Sequence, residues 1–330
     1  MAASSESKDM IVNDGPKKTI EFDCWKGDWG LPSVDVKCLN VLTYAQFAGA
    51  SLRVHKNRFL WQNLAAAHLP MLHAGEGVVR SDTEAIQYLK ETQANLDGDL
   101  TDQQRADSLA LKALMEEKYL PGLLHAWWVD AKNYVELIRP WYAKALQFPL
   151  NYFVPGRLKR AAERRVEVTR GGEHMEAEEI TSRVYSDAKE CINLLSEKLG
   201  DEDFFFGPVP TSLDALIFSY LAPLLRAPLP SNQLQMHLKA TDNLCRFCSR
   251  ILLRYFPDEP QDPGPTSSQK SPTEDPFDDP HKRRNQVLAA VVAMTAMASY
   301  AFLSGLVRVQ MTDSDGSGIE LDYDDGEEGH

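Results

Sequence analysis

The 330-residue chain predicts an α+β fold: a small mixed-sheet domain, then an all-helical domain, then a single C-terminal transmembrane helix. Three observations predict it. Strand and helix signals alternate over residues 19–90, helical periodicity runs without a strand pattern from Thr101 to Tyr255, and an uncharged stretch of 23 residues runs from Asn285 to Val307. Alternating short signals place helices on a sheet, whereas an unbroken 3.6-residue period builds a helical bundle.

In the first region Ile20 and Phe22 alternate with polar residues as a short strand. After the turn-rich Gly27–Pro32, Ser33 is placed to cap a helix whose apolar face includes Val36, Leu39, Leu42 and Ala45. Gly49 stops that helix, and Leu52 and Val54 open a second strand. Leu69–Leu72 and Gly77–Val79 flank the turn residues His73–Glu76 and read as a hairpin. Ser81-Asp82-Thr83-Glu84 spells a capping box, with Ser81 accepting the Glu84 amide and Glu84 reaching back to the Ser81 amide. It starts a helix carrying Ala85, Ile86, Tyr88 and Leu89. The order βαβ, then ββα, implies a mixed sheet with helices on its faces.

The helical region opens on a second capping box, Thr101–Gln104, which leads into Ala106, Leu109, Ala113 and Leu114. Ile180, Val184, Ala188, Ile192, Leu195 and Leu199 keep helical spacing up to Gly200. Thr211–Asp214 caps the apolar run Ala215–Leu225, and Leu234, Leu238, Thr241, Cys245, Cys248 and Leu252 share one stripe of a last helix.

Charge separates the chain again. Of the net charge of −13, residues 257–330 contribute 15 acids against 5 bases, so residues 1–256 form a nearly neutral body. That excludes a nucleic-acid binder, whose folded part would be basic. Five cysteines fit a reduced compartment better than a disulfide framework. The N-terminus has no apolar h-region, and its first arginine is Arg53, so it lacks the character of a secretory or matrix presequence. Ala2 replaces the glycine that myristoylation needs, and the C-terminus has no prenylation box.

The uncharged stretch spans roughly 30 Å as a helix, the thickness of a bilayer core. Its apolar side chains include Val287, Leu288, Val291, Val292, Tyr300, Phe302, Leu303 and Leu306. The other reading is a buried core helix. Against it stand the basic fence Lys282-Arg283-Arg284, Arg308 behind the span, and an acidic tail that offers no partner layer. Three cations before the span and one after favour a cytosolic N-terminal body. An anchor so close to the C-terminus inserts after synthesis. Its six alanines make it only moderately hydrophobic, which resembles the tail anchors of the mitochondrial outer membrane. Between body and anchor, Pro257–His281 holds seven prolines and too little apolar surface to fold. Its mean reach as a flexible tether is about 25–30 Å. The expected division is therefore a disordered leader (1–18), the sheet domain (19–95), the helical domain (96–256), a Pro-rich acidic tether (257–285), the anchor (286–308) and an acidic disordered tail (309–330).

A sheet domain ending ββα followed by an all-α domain resembles the glutathione transferase architecture, with a thioredoxin-like first half. Leu69-Pro70 stands where that superfamily keeps a cis-proline, Asp82–Ile86 is similar to its acidic-hydroxyl-x-Ala-Ile signature, and Thr211–Asp214 after Phe206-Gly207 is similar to the box starting its central helix. More closely, Cys24-Trp25-Lys26-Gly27-Asp28-Trp29-Gly30-Leu31-Pro32-Ser33-Val34 and Val41–Ala45 resemble the N-terminal signature of the metaxins. Asn133–Glu136, Phe148–Asn151, Asp187–Cys191, Phe204–Gly207, Leu213–Ala215 and Asn243–Cys245 continue that resemblance over roughly residues 20–307, and the anchor resembles that of the type-1 paralogue. The leader is longer than the family pattern, and Val54–Ala67 diverges from it. The resemblance implies an outer mitochondrial membrane protein facing the cytosol, with its short tail in the intermembrane space. It would act in protein import and in sorting and assembly of β-barrel precursors, together with a second metaxin and the sorting and assembly complex. It also implies contact with outer-membrane lipid and with the inner-membrane organising complex.

Four residue sets bear on chemistry. A glutathione enzyme needs a hydroxyl or thiol at the end of the first strand, near a helix N-terminus. Cys24 and Ser33 are the candidates, and Thr83 would hold the γ-glutamyl group. They also read as a strand-end packing cysteine, an N-cap and a first-turn residue, and Trp25 and Trp29 would crowd an open thiol. Cys245-Arg246-Phe247-Cys248 has the spacing of a redox or zinc pair, but it falls inside a helix with no second pair. Arg157, Lys159, Arg160, Arg164, Arg165 and Arg170 form a basic segment, either a solvated face or a patch for anionic headgroups or an acidic partner. Trp127, Trp128, Tyr134, Trp141, Tyr142, Phe148, Tyr152 and Phe153 are dense enough for core or a partner groove. The sequence thus leads to a protein that acts by binding, with no catalytic residue, cofactor or metal and no nucleic-acid partner. The alternatives are a membrane-tethered glutathione-dependent enzyme and an adaptor for mitochondrial transport or contact sites.

Overall fold

The computed structural model describes residues 20–56, 69–74, 77–170, 177–257 and 294, 295 and 297. Residues 20–257 belong to one compact unit and the last three to a second, where they are helical. The expected leader, the tether beyond Pro257, nearly all of the anchor, the acidic tail and residues 57–67 of the divergent segment lie outside the described residues. Among the described residues no helix is long and apolar enough to cross a membrane.

The sheet half runs β1 (Ile20–Cys24), α1 (Val36–Phe47), β2 (Leu52–Lys56), β3 (Met71–Ala74), β4 (Gly77–Val79) and α2 (Asp82–Thr92), with strand order β2-β1-β3-β4. The helical crossover makes β2 parallel to β1, and β3 and β4 join antiparallel. Phe22 faces Val54 on one side and Leu72 on the other, and both Phe22 and Leu72 are fully buried. His73 and Ala74, expected in the turn, extend β3 instead, paired with Val78 and Gly77. Leu69-Pro70 is a cis peptide, as the resemblance implies, and so is Phe148-Pro149.

Two helix starts differ from expectation. Asp35, not Ser33, caps α1: its Oδ1 accepts from Cys38 N at 2.9 Å, because Asp35 directly precedes the first helical residue. Ser33 Oγ accepts from Asp35 N at 3.3 Å and so supports the cap. Ser81 occupies the cap position of α2, but its side chain makes no capping bond. The neighbouring Asp82 turns instead to α1, where Asn40 Nδ2 donates to it at 3.2 Å. Gly49, at φ +62°, ends α1 in the left-handed conformation that glycine takes without a Cβ clash.

The helical half contains α3 (Asp102–Leu114), α4 (Leu120–Leu124), α5 (Ala131–Asn133), α6 (Arg139–Ala145), α7 (Leu150–Arg170), α8 (Ala177–Leu199), α9 (Ser212–Arg226), α10 (Gln233–Lys239) and α11 (Asp242–Tyr255). Wide π-type turns at Met115–Tyr119, His125–Val129 and Tyr134–Ile138 link α3 to α6. Two of them precede Pro121 and Pro140, which have no amide to continue the regular bonding. The Thr101 box closes in both directions, Gln104 N donating to Thr101 Oγ1 at 3.2 Å and Thr101 N to Gln104 Oε1 at 2.9 Å. Of the four residues expected beyond it, Ala106, Leu109 and Ala113 are exposed, and only Leu114 leans on the core, together with Leu111.

Helix α9 is buried at every position from Leu213 to Leu224. At its start, buried Asp214 accepts from Thr211 N at 2.8 Å, Thr211 Oγ1 at 2.6 Å and Phe205 N at 2.9 Å. Asp97, between α2 and α3, accepts from Lys90 Nζ at 2.6 Å and from Ser212 N and Oγ at 2.9 and 2.6 Å. One hydrophobic cluster spans both halves. At its far end Phe47 of α1 meets Tyr255 of α11 at 4.7 Å between ring centroids, and Phe218 stacks on Phe256 at 6.4 Å. The observed architecture is the expected α+β: a four-stranded sheet with its own helices, then a helical part.

Candidate functional site

The segment after β1 is shaped by its backbone. A Cβ on Gly27 would lie 2.0 Å from the Leu31 carbonyl oxygen, so only glycine fits. Leu31 N donates to Asp28 O at 2.9 Å, and Trp29 and Gly30 follow with φ of 54° and 74°. A bulky residue in that region costs on the order of 1–3 kcal/mol, so the surroundings must hold Trp29 there. Asp28 does part of this. Its Oδ1 accepts from Trp29 N at 2.8 Å, and its Oδ2 accepts from the Trp141 indole N–H at 2.6 Å on α6.

Rings complete the joint. Trp25 meets Tyr142 edge-on at 4.9 Å, and Tyr142 lies 4.9 Å from both Trp128 and Trp141. Trp29 is 6.0 Å from both Trp127 and Trp141, and Lys26 Nζ sits 5.3 Å over the Trp141 ring. Edge-on and tilted pairs at these distances add about 0.5–1.5 kcal/mol each beyond the area they bury. The joint behind β1 is therefore filled by indole and phenol rings from both halves.

The expected chemical groups lie accordingly. Cys24 and Ser33 have no exposed surface, whereas Thr83 is exposed on the first turn of α2. Cys38 is also buried, and burial pushes its thiol well up, with the Asp35 carboxylate adding to the effect. Burial also drives the Tyr142 hydroxyl well up. Cys248 is buried and its thiol is pushed up by desolvation, while half-buried Cys245 turns its Sγ toward Leu238 O at 3.4 Å. Among the described residues no group of His, Cys, Asp and Glu side chains could hold a metal ion.

The basic segment divides. Lys159 pairs with Glu163, as the i,i+4 spacing implies, and Arg165 reaches Glu117 Oε1 at 3.1 Å. Arg157, Arg160 and Arg164 face solvent. The aromatic set divides too: Trp127, Trp128 and Tyr142 are buried, Tyr134, Trp141 and Phe148 are half-buried, and Tyr152 and Phe153 are exposed. The anchor residues Val287, Leu288, Val291, Val292, Tyr300, Phe302, Leu303 and Leu306, with Lys282, Arg283, Arg284 and Arg308, lie outside the described residues.

Two structural roles escaped the sequence. Asp28 and Trp141 are 113 positions apart, and no local pattern pairs them. Asn133 is fully buried and joins distant segments: its Nδ2 donates to Ala126 O and Ser231 O at 2.8 Å each, and its Oδ1 accepts from Ser231 N at 2.7 Å. An asparagine inside the motif Asn133–Glu136 was the one available signal.

Comparison with known proteins follows the same lines. Residues 38–159 match the family described as outer mitochondrial membrane transport complex protein, and residues 188–251 match the glutathione S-transferase C-terminal domain. Metaxin-1 of Macaca fascicularis is 47% identical over 295 residues, covering 88% of this chain and 92% of its own length. Metaxin-1 of Mus musculus is 46% identical over 296 residues, covering 89% and 92%. Metaxin-3 of Danio rerio is 48% identical over 240 residues, covering 72% and 76%. Among solved structures, the β-etherase LigF of Sphingobium sp. strain SYK-6 aligns with a TM-score of 0.49 at 15% identity, covering 72% of this chain and 96% of that one. With 46–48% identity over 72–89% of its length to proteins from several animals, the chain belongs to the metaxin family.

Proposed function

We propose that this protein acts by binding, as an outer mitochondrial membrane subunit in protein import and in sorting and assembly of β-barrel precursors. In this reading residues 286–308 anchor it, the body at 20–257 stays in the cytosol, and it pairs with a second metaxin on the sorting and assembly complex. The family supports the compartment and the transport role. The observation that carries the choice of binding over catalysis is the filled joint: Cys24 and Ser33 have no exposed surface, and Trp25, set against Tyr142, is itself only 4% exposed. A thiol enzyme needs its nucleophile open to substrate, and burial opposes that.

Affinity capture from detergent-solubilised mitochondria tests this reading. The full chain should bring down a second metaxin and β-barrel assembly components, and a chain lacking residues 285–308 should bring down far less of them. Their absence from the full-chain eluate would overturn the central assignment, and motor or contact-site proteins in their place would single out the adaptor. Glutathione resin and a general electrophile assay test the enzyme. Retention together with turnover that disappears in Cys24→Ala would reverse the choice of binding over catalysis.

A further inference from the structure

Helix α7 has two faces of different character. Val154, Pro155, Ala162 and Val166 are buried, while Phe153, Arg157, Arg160, Ala161, Arg164 and Val168 are exposed. At 3.6 residues per turn the exposed set forms one stripe, about 22 Å long from Phe153 to Val168. Its ends are apolar: Phe153 is 66% exposed and Val168 82%, with Tyr152 at 67% beside Phe153. Its middle is cationic. Lys159 and Arg165 are engaged by Glu163 and Glu117, but among the described residues no ion pair engages Arg157, Arg160 or Arg164. Glu167 is the single acid at the edge of the stripe. Arg160 and Arg164, one turn apart, repel each other in the free protein, and an anionic surface turns that cost into a gain.

We propose that the outward face of α7 docks on an anionic lipid surface, with Arg157, Arg160 and Arg164 on headgroup phosphates and Tyr152 and Phe153 at the interface. The proposal rests on the reading that residues 286–308 anchor the chain, which would keep the body within reach of a bilayer. Lipid fits better than an acidic protein. The cations lie along a convex helix rather than in a recess that would hold paired carboxylates, and exposed aromatic rings at one end match the interfacial preference of such side chains. Each arginine beside an anionic surface strengthens association about five-fold, so the three together give about a hundred-fold.

The full chain carrying Ala161→Cys, reconstituted into vesicles, tests the surface. With half-buried Cys245 changed to serine the remaining native cysteines are all buried, so a membrane-impermeant maleimide reads position 161. At low salt its modification should be up to about a hundred-fold slower with phosphatidylinositol present than in phosphatidylcholine alone. High salt, or Arg157→Gln, Arg160→Gln and Arg164→Gln together, should restore the rate. A slowing of about five-fold, the contribution of one arginine, is the least that supports the proposal. A smaller difference in vesicles that carry the chain overturns it, as does protection that appears only on adding an acidic protein. Flotation with phosphatidylcholine vesicles tests the anchor separately: a chain that does not float sinks the anchor reading.

Discussion

Asp214 binds three donors at the start of the central helix, and it does so without contact with water. Burial pushes its pKa up to about 6, against the pull of the bonds from Thr211 and Phe205. An unfolded aspartate titrates near about 3.9. The folded state therefore holds this proton more tightly, and the resulting stability is complete below about pH 4 and lost as the pH rises through about 6. Thermal melts of the full chain in detergent should show Asp214→Asn with a flatter dependence between these limits than the wild type. At pH 7 the variant should also lose about 1–3 kcal/mol, because its amide nitrogen meets a donor where a carboxylate oxygen stood. An unchanged pH slope would show that Asp214 does not titrate in this range.

At the scale of elements, the two capping sequences show what local pattern can and cannot say. Thr101–Gln104 and Ser81–Glu84 spell the same box, yet only the first closes on itself. The second begins with a residue beside Asp82, which α1 claims through Asn40, and that partner is 42 positions away. Helix α3 teaches the same point about faces. Its alanines and Leu109 mark one stripe, while Leu111, Leu114 and the following Met115 mark another, and the longer side chains take the core. Leu109→Gln should change stability by less than about 0.5 kcal/mol. Met115→Ala, which empties a fully buried site, should cost about 2–5 kcal/mol. Equal costs in denaturant titrations would return Leu109 to the core.

Over the whole molecule, the order of strands and helices was legible because hydrophobic period and turn residues are local signals. The joint between the halves was not, since it consists of rings and one carboxylate that meet only after both halves have folded. Trp25 and Trp29 were visible as crowding residues, but their partners Tyr142, Trp127 and Trp141 were not assignable. Because one core runs through sheet and helices, the body should unfold in a single transition. Tryptophan emission, which reports the joint, and far-UV circular dichroism, which reports the helices, should give coincident midpoints. Separate midpoints would mean that the halves are independently stable.

The seating of Tyr255 against Phe47 and of Phe256 against Phe218 has a mechanical consequence. The last residues of α11 are fastened to α1 and α9, the innermost helices of the two halves. A pull applied to the chain beyond Pro257 would thus load the centre of the protein at once instead of peeling its final helix. In an optical trap, stretching between the two ends of the body should give one rip without an early event of α11's length.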